Sequence, residues 1–368
     1  MTNYWKTLLG SPFRASCTIF VCWIIWTLAG LAFDWLVLDA TTSGGPETCK
    51  ASRGACWPFI VEKIRFMVFG VYPFDQQWRA LTAMSIFLAG CCISMMPCFW
   101  GRRLLLLIPA VFAAVFILLR GGLLGLPYVP AERWSGLPLT LLLSVATFST
   151  ALPLGILLAL ARCSSIRVVQ TVSTALVECI RGIPLISLLF MTSVMSPMLM
   201  PGWTANNAFL MAQIPITIFI AGYIAETVRG GLIAIPLTQV EAAASLGLNY
   251  WQTTFLVVLP QAITSVIGPL VALFIAFFQD TTLVGMVGLL DFLSTIRSAL
   301  QDPRWQGIAT VEGYLFAGFI YLTFSVGLGI YGRFLERIVG RGRSKVRETE
   351  PTMNAISPVP PAVMRSLG

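Results

Sequence analysis

The residues best suited to a specific contact lie in one run, Glu241-Ala242-Ala243-Ala244-Ser245-Leu246-Gly247, with Pro236 before it and Val257-Val258-Leu259-Pro260 after it. Pro236 suits a helix start, because the first turn has no use for the backbone N–H that proline lacks. Glu241 lies toward the positive end of the helix dipole, and the alanines favour helix while adding almost no bulk. Gly247 can end the helix in a left-handed cap. The spacing predicts a short helix, a tight turn and a second helix, with a small-residue face that a groove on another protein can approach closely. Glu-Ala-Ala alone is common in amphipathic helices, so the distinctive feature is the whole spacing through Gly247 to Leu259-Pro260.

Several chemistries are excluded by composition. The chain has no histidine, which removes His-based zinc sites, Ser-His dyads and histidine proton relays. Its lysines are Lys6, Lys50, Lys63 and Lys345, none follows a glycine, and all lie in loops or tails. A glycine-rich phosphate loop ending in Gly-Lys is therefore absent, and any ATP used is hydrolysed by another chain. No metal-ligand spacing appears, and no catalytic constellation is visible.

Two charged pairs recur at three-residue spacing, Glu178 with Arg181 and Glu226 with Arg229. A charge at the centre of a bilayer costs about 2.5–3.5 kcal/mol on insertion scales. Glu178 and Arg181 are therefore expected to pair, to sit at a membrane edge or to line an interior path. Arg229 could contact a partner or tie to Glu226, but a positive flank is the simpler reading.

The elements that must position these residues belong to a membrane protein. Of the 368 residues 57% are hydrophobic and 11% charged, far from the roughly 25% charged of soluble domains. Apolar stretches predict eight transmembrane helices, at roughly 16–38, 80–98, 104–119, 137–160, 170–197, 207–227, 262–284 and 313–333. The stretch 170–197 contains Arg181 and Pro184, so only part of it is expected to span. Positive residues at Arg102, Arg103, Arg162, Arg167, Arg229 and from Arg333 onward put both termini in the cytoplasm. The loop 39–79 then lies outside, where an oxidising compartment would let Cys49 and Cys56 pair. The net charge of +8 is spread over these flanks and the tail, which speaks for membrane orientation and against nucleic acid.

A turn-rich junction, Gly121-Gly122, Gly125, Pro127 and Pro130, divides an N-terminal extension of three spans (1–130) from a core of five (137–338). The tail 339–368 is basic and then proline-rich, and is expected to be disordered.

Glu-Ala-Ala, Gly four residues after Ala243, nine residues, then Val257-x-Leu259-Pro260 resembles the signature loop of prokaryotic ATP-binding-cassette (ABC) importer permeases. Val257 departs from it, standing where isoleucine is usual. The segments Glu178-Cys179-Ile180-Arg181-Gly182-Ile183-Pro184, Ala225-Glu226-Thr227-Val228-Arg229-Gly230-Gly231 and Leu259-Pro260-Gln261-Ala262 resemble the polar-amino-acid branch. Gln279-Asp280 departs, with Gln279 where that branch usually has lysine. Asp34 to Asp39, Gly54-Ala55-Cys56-Trp57 and Gly125 to Val129 look like the general L-amino-acid permease of the M type.

The resemblance implies an all-α permease subunit in the bacterial inner membrane, carrying L-amino acids from periplasm to cytoplasm and binding no cofactor itself. ATP and Mg would sit on a pair of partner ATPase subunits. A second permease subunit, forming a heterodimer, and a periplasmic amino-acid-binding protein would complete the assembly. It implies coupling to the ATPase through Glu241, Ala242, Ala243 and Gly247, with Leu259, Pro260 and Arg229 beside them, in a cytoplasmic loop 229–260. Glu178, Arg181, Gly182 and Pro184 would shape the path or its gate. The rival reading, an ion-coupled secondary amino-acid transporter, would require a coupling-ion site and usually inverted repeats. The sequence shows neither a convincing repeat nor a buried acid cluster.

Overall fold

The computed structural model describes residues 11–94, 96, 101–123, 125–199 and 208–347. The long helices are α1 (Pro12–Phe33), α3 (Trp57–Phe69), α4 (Gln77–Ser94), α5 (Arg102–Arg120), α6 (Gly136–Arg162), α7 (Arg167–Gly182), α8 (Leu185–Leu199), α9 (Ala208–Ile233), α12 (Ile267–Asp280) and α14 (Thr310–Arg347). Shorter ones are α2 (Pro46–Ala51), α10 (Leu237–Ser245), α11 (Leu259–Ser265) and α13 (Phe292–Leu300). Among the described residues there is no β-strand, only isolated bridges. That is what a bilayer demands, because a helix satisfies its own backbone hydrogen bonds.

Among the described residues, five helices are long and apolar enough to cross a membrane: Pro12–Leu38, Gly136–Arg162, Ala208–Ile233, Ile267–Val287 and Thr310–Ile338. A further crossing arises if Arg167–Gly182 and Leu185–Met195, bent by 94° at their junction, act as one broken span. The bend has a local cause. Ile183 precedes Pro184 and is pushed out of the helical region to φ −92° and ψ 127°. The predicted count of eight also needs α4 and α5. Of that pair Leu106–Arg120 is apolar but short, so among the described residues length and composition support five or six. Helix α14 runs on to Arg347, so the stretch from 339 to Arg347, expected to be disordered, is helical. Residues 348–368 lie outside the described part.

Two compact units emerge, and they cut the chain elsewhere than the junction near residue 130. One comprises residues up to Arg65 together with Ile296–Gly318; the other comprises Phe66–Thr295 and the chain from Phe319. In the first, α1 buries none of its residues, and Phe20, Trp23, Trp26 and Leu28 all stand exposed. A helix that is apolar all round and unburied has lipid as its natural surroundings. Cys49 and Cys56 are joined in a disulfide, and the Cys56 N–H donates to buried Glu312 in the first turn of α14 at 2.7 Å. Trp305, fully buried, meets Phe59 edge-on at 5.5 Å.

The second unit is built on α6 and α9. Gly155 on α6 faces the Ala221 carbonyl and Ile224 of α9 so closely that a Cβ would collide, which is how small residues let membrane helices approach. A polar clasp joins the same pair, in which Thr147 donates to Gln213 at 3.2 Å, Gln213 donates to Thr150 at 3.3 Å, and Thr150 meets Thr217 at 3.1 Å. Gly136 opens α6 at φ +70°, with its N–H on the Leu290 carbonyl and no room for a Cβ beside Val68.

Candidate docking loop and the charge cluster beside it

Helix α9 leads directly into the loop singled out by spacing. Pro236 stands at the N-cap of α10, and the helix ends in a Schellman arrangement. The Leu248 N–H reaches the Ala243 carbonyl at 3.2 Å, the Gly247 N–H reaches Ala244 at 2.9 Å, and Gly247 adopts φ +77°. A second cap follows at once. Asn249 accepts from the Gln252 N–H at 2.9 Å, while the Gln252 side chain accepts from the Asn249 N–H at 3.0 Å. The turn between the helices is thus closed from both sides, which leaves it little freedom.

From Tyr250 the chain is helical to Ser265, but Thr253–Val258 widens into a π-type turn just before Leu259 and Pro260. Proline brings no N–H and would crowd the carbonyl one turn back, and a wider turn relieves both problems. The Gln261 amide donates to the Val257 carbonyl at 2.9 Å and to Gln239 of α10 at 3.5 Å, holding the two helices together. Gly231 of α9 sits so close to the Ala262 carbonyl that α11 is packed onto the end of α9.

Glu241, Ala242 and Gly247 are exposed, whereas Ala243 is buried. The small-residue run therefore divides. Ala243 lets α10 lie close to its own protein, and its neighbours face outward. Leu246, Trp251 and Leu256 are exposed beside them, with Trp251 stacked on Phe255 at 5.9 Å. An exposed apolar cluster of this kind marks a surface suited to contact with another protein or with the membrane. Leu259 is half-buried and Pro260 exposed.

At the same end of α9, Glu226 gathers three arginines. Arg229 donates through Nη2 to Glu226 Oε1 at 2.5 Å and through Nε to Oε2 at 3.3 Å. Arg162, at the end of α6 and with only 8% of its side chain exposed, bonds to Glu226 Oε2. Arg181 approaches the same oxygen at 3.5 Å and lies 5.4 Å from the centre of the Tyr223 ring. Glu178 faces Arg162 at 4.0 Å. Pairing with each other was one of three expectations for Glu178 and Arg181, beside a membrane edge and an interior path. In the fold each faces a charge on another helix, because the end of α7 lies against both α6 and α9. Arg229 is tied to Glu226 by these two bonds. Local spacing missed Arg162, which the sequence marks only as a flank. Gly182 and Pro184 form the break between α7 and α8. Among the described residues, no group of three or more Cys, Asp or Glu side chains is placed to hold a metal.

The family of binding-protein-dependent transport system inner membrane components matches residues 151–341. This chain belongs to that family. The match contains the charge cluster and the whole capped loop. Among relatives of this family member, the inner membrane amino-acid ABC transporter permease protein YhdY of Escherichia coli (strain K12) is 40% identical over 345 residues, covering 92% of this chain and 93% of the relative. The glutamate/glutamine/aspartate/asparagine transport system permease protein BztC of Rhodobacter capsulatus is 32% identical over 403 residues, covering 91% and 93%. The glutamate/aspartate import permease protein GltK of Escherichia coli O6:H1 is 32% identical over 217 residues, covering 58% of this chain and 93% of its own.

Proposed function

We propose that this permease is the membrane-spanning subunit of an ATP-driven importer that moves L-amino acids from periplasm to cytoplasm. The observation that carries the reading is the outward placement of Glu241, Ala242 and Gly247 on a turn capped from both sides, within a chain of the binding-protein-dependent family. Such a turn is a rigid knob, suited to the groove of an ATPase subunit. Closure of an ATPase pair would then push through α10 and α11 onto α9 and tilt the spans between two accesses. Leu246 and Trp251 widen the contact, and Ala243 acts by packing.

The names of YhdY and BztC support amino acids as the substrate class. The assembly we infer has a second permease subunit, two ATPase subunits holding ATP and Mg, and a periplasmic amino-acid-binding protein. Both termini of this chain lie in the cytoplasm of that arrangement. The extension before residue 130 fits the same picture, since GltK has a counterpart to only part of this chain whereas YhdY and BztC match nearly all of it. Arg181, at the break marked by Gly182 and Pro184 and beside Glu178, belongs to the gate of the path. No observation favours the ion-coupled alternative.

The test is uptake of labelled glutamate and leucine by proteoliposomes holding this chain with its co-purifying subunits. Glu241→Arg and Gly247→Arg are expected to abolish ATP-dependent uptake while the other subunits still fold. Uptake that follows an ion gradient without ATP overturns the proposal. For the gate, Arg181→Ala is expected to lose transport with assembly intact, and loss of assembly instead makes Arg181 structural.

A further inference from the structure

We propose that the end of α5 holds the phosphate headgroup of an anionic phospholipid. An open cleft of about 380 Å³ lies there, lined by Phe116, Ile117, Arg120, Gly121, Gly122, Leu123 and Tyr128. The Arg120 guanidinium is 5.8 Å from the centre of the Phe116 ring and 5.8 Å from that of Tyr128. Two aromatic faces thus orient a planar fork of donors, the geometry that suits paired hydrogen bonds to phosphate oxygens.

The floor of the cleft is rigid because every carbonyl of the last turn of α5 has a partner. Ile117 accepts from the Gly121 N–H at 2.8 Å, Leu118 from Arg79 Nε at 2.9 Å, Leu119 from the Tyr72 hydroxyl at 3.0 Å and Arg120 from the Val129 N–H at 2.7 Å. Gly121 takes φ +66° with the Arg79 guanidinium immediately behind it. Arg79 is fully buried, its bonds go to the neutral acceptors Leu118, Pro127 and Gln76, and its Nη2 has no partner. A second positive charge, bonded only to neutral groups, therefore lies one residue behind the cleft floor and raises its attraction for an anion.

The lining selects the kind of anion. One residue is cationic, none is acidic, and Phe116, Ile117 and Leu123 are apolar. A free amino acid would leave its ammonium group without an acceptor. Inorganic phosphate would leave the apolar wall without an occupant. An anionic phospholipid satisfies both parts, with its phosphate on Arg120 and an acyl chain along the apolar residues. Arg120 as an ordinary interfacial anchor would need only water and any nearby headgroup, with neither an aromatic clamp nor a cleft.

The experiment uses this chain with its co-purifying subunits, stripped of lipid in detergent. The thermal midpoint is followed as phosphatidylglycerol, phosphatidylcholine or inorganic phosphate is added, for the native protein, Arg120→Gln, Arg120→Lys and Leu123→Glu. Phosphatidylglycerol is expected to raise the native midpoint with an apparent affinity at least tenfold better than phosphatidylcholine. Arg120→Gln and Leu123→Glu, both at exposed positions that leave the fold intact, are expected to weaken that response about tenfold, and Arg120→Lys to recover part of it. Three outcomes overturn the proposal: an unchanged response in Arg120→Gln, equal responses to the two lipids, or no lipid response in the native protein. A response reproduced by inorganic phosphate alone also overturns it, because the apolar wall then plays no part.

Discussion

The charges around Glu226 and those around Lys63 are made of the same groups and work under different conditions. On α6, α7 and α9, one carboxylate serves Arg162, Arg181 and Arg229, and Arg162 is almost wholly shielded. In the other compact unit, Lys63 meets Asp302 at 2.5 Å and Glu62 at 3.3 Å, and Arg304 reaches Glu62 at 3.7 Å with most of its side chain exposed. There a disulfide between Cys49 and Cys56 supplies a covalent tie that the Glu226 cluster lacks. A shielded cluster depends on being complete, since removing one partner strands a charge where water cannot reach it. The Lys63–Asp302 pair is about as shielded as Glu226 itself, and what sets its surroundings apart is the open Arg304 and the nearby covalent tie.

The largest expected effect breaks that comparison at its centre. Glu226→Gln leaves buried Arg162 with only the distant, exposed Glu178 carboxylate and is expected to cost about 3–5 kcal/mol, read as a lowered thermal midpoint and reduced recovery of the complex. Pairing Arg162→Met with Glu226→Leu should restore most of the loss, and a double variant as unstable as the single one would show that the charges do more than compensate each other. Next comes Cys49→Ser with Cys56→Ser, expected to cost the first unit about 2–3 kcal/mol in unfolding measurements. An undetectable change there would mean that the Glu312 and Trp305 contacts suffice.

A smaller effect sharpens the contrast inside one cluster. Glu178 is exposed and 4.0 Å from Arg162, so Glu178→Gln is expected to cost under about 1 kcal/mol by the same thermal assay. The smallest effect is a pH dependence. The hydrogen bond from Lys63, with that from the Arg304 N–H, holds the Asp302 carboxyl below the usual carboxylate range. Its contribution is present above the unfolded pKa of about 4 and is lost as pH falls through the lowered folded value. Asp302 also raises Lys63 above the ordinary lysine range, despite an opposing desolvation. That contribution is lost only as pH rises through the raised value. Hydrogen exchange around residues 57–65 should therefore be flat from pH 6 to 9 and accelerate modestly below pH 4, beyond the intrinsic pH trend of exchange, and Asp302→Asn should remove the acid step.

Much of the capped loop was legible because its determinants are local. Pro236, the alanine run, Gly247 and Pro260 each act on the backbone within a turn of themselves, and the structure has a start, an end and a widened turn at those positions. The break at Ile183-Pro184 was legible for the same reason. The charge cluster was only half legible. Glu226 and Arg229 share a helical face at three-residue spacing, but Arg162 reaches them from 64 residues away. Of the three expectations for Glu178 and Arg181, mutual pairing is the one the structure does not show, since spacing gives neighbours on one helix and says nothing of a partner on the next.

Composition, apolar length and turn chemistry determined that this chain crosses a membrane, cannot hydrolyse ATP through a glycine-lysine phosphate loop, and carries a short capped helix between two spans. These follow from the energy of single groups in lipid and from bonds within one turn. Tertiary structure decided that Ala243 faces inward while Glu241 and Ala242 face outward, that Glu226 is shared among three helices, and that Glu312 meets the Cys56 backbone across 256 residues. Each of these is settled by which helix packs beside which, and that depends on contacts summed over the whole bundle.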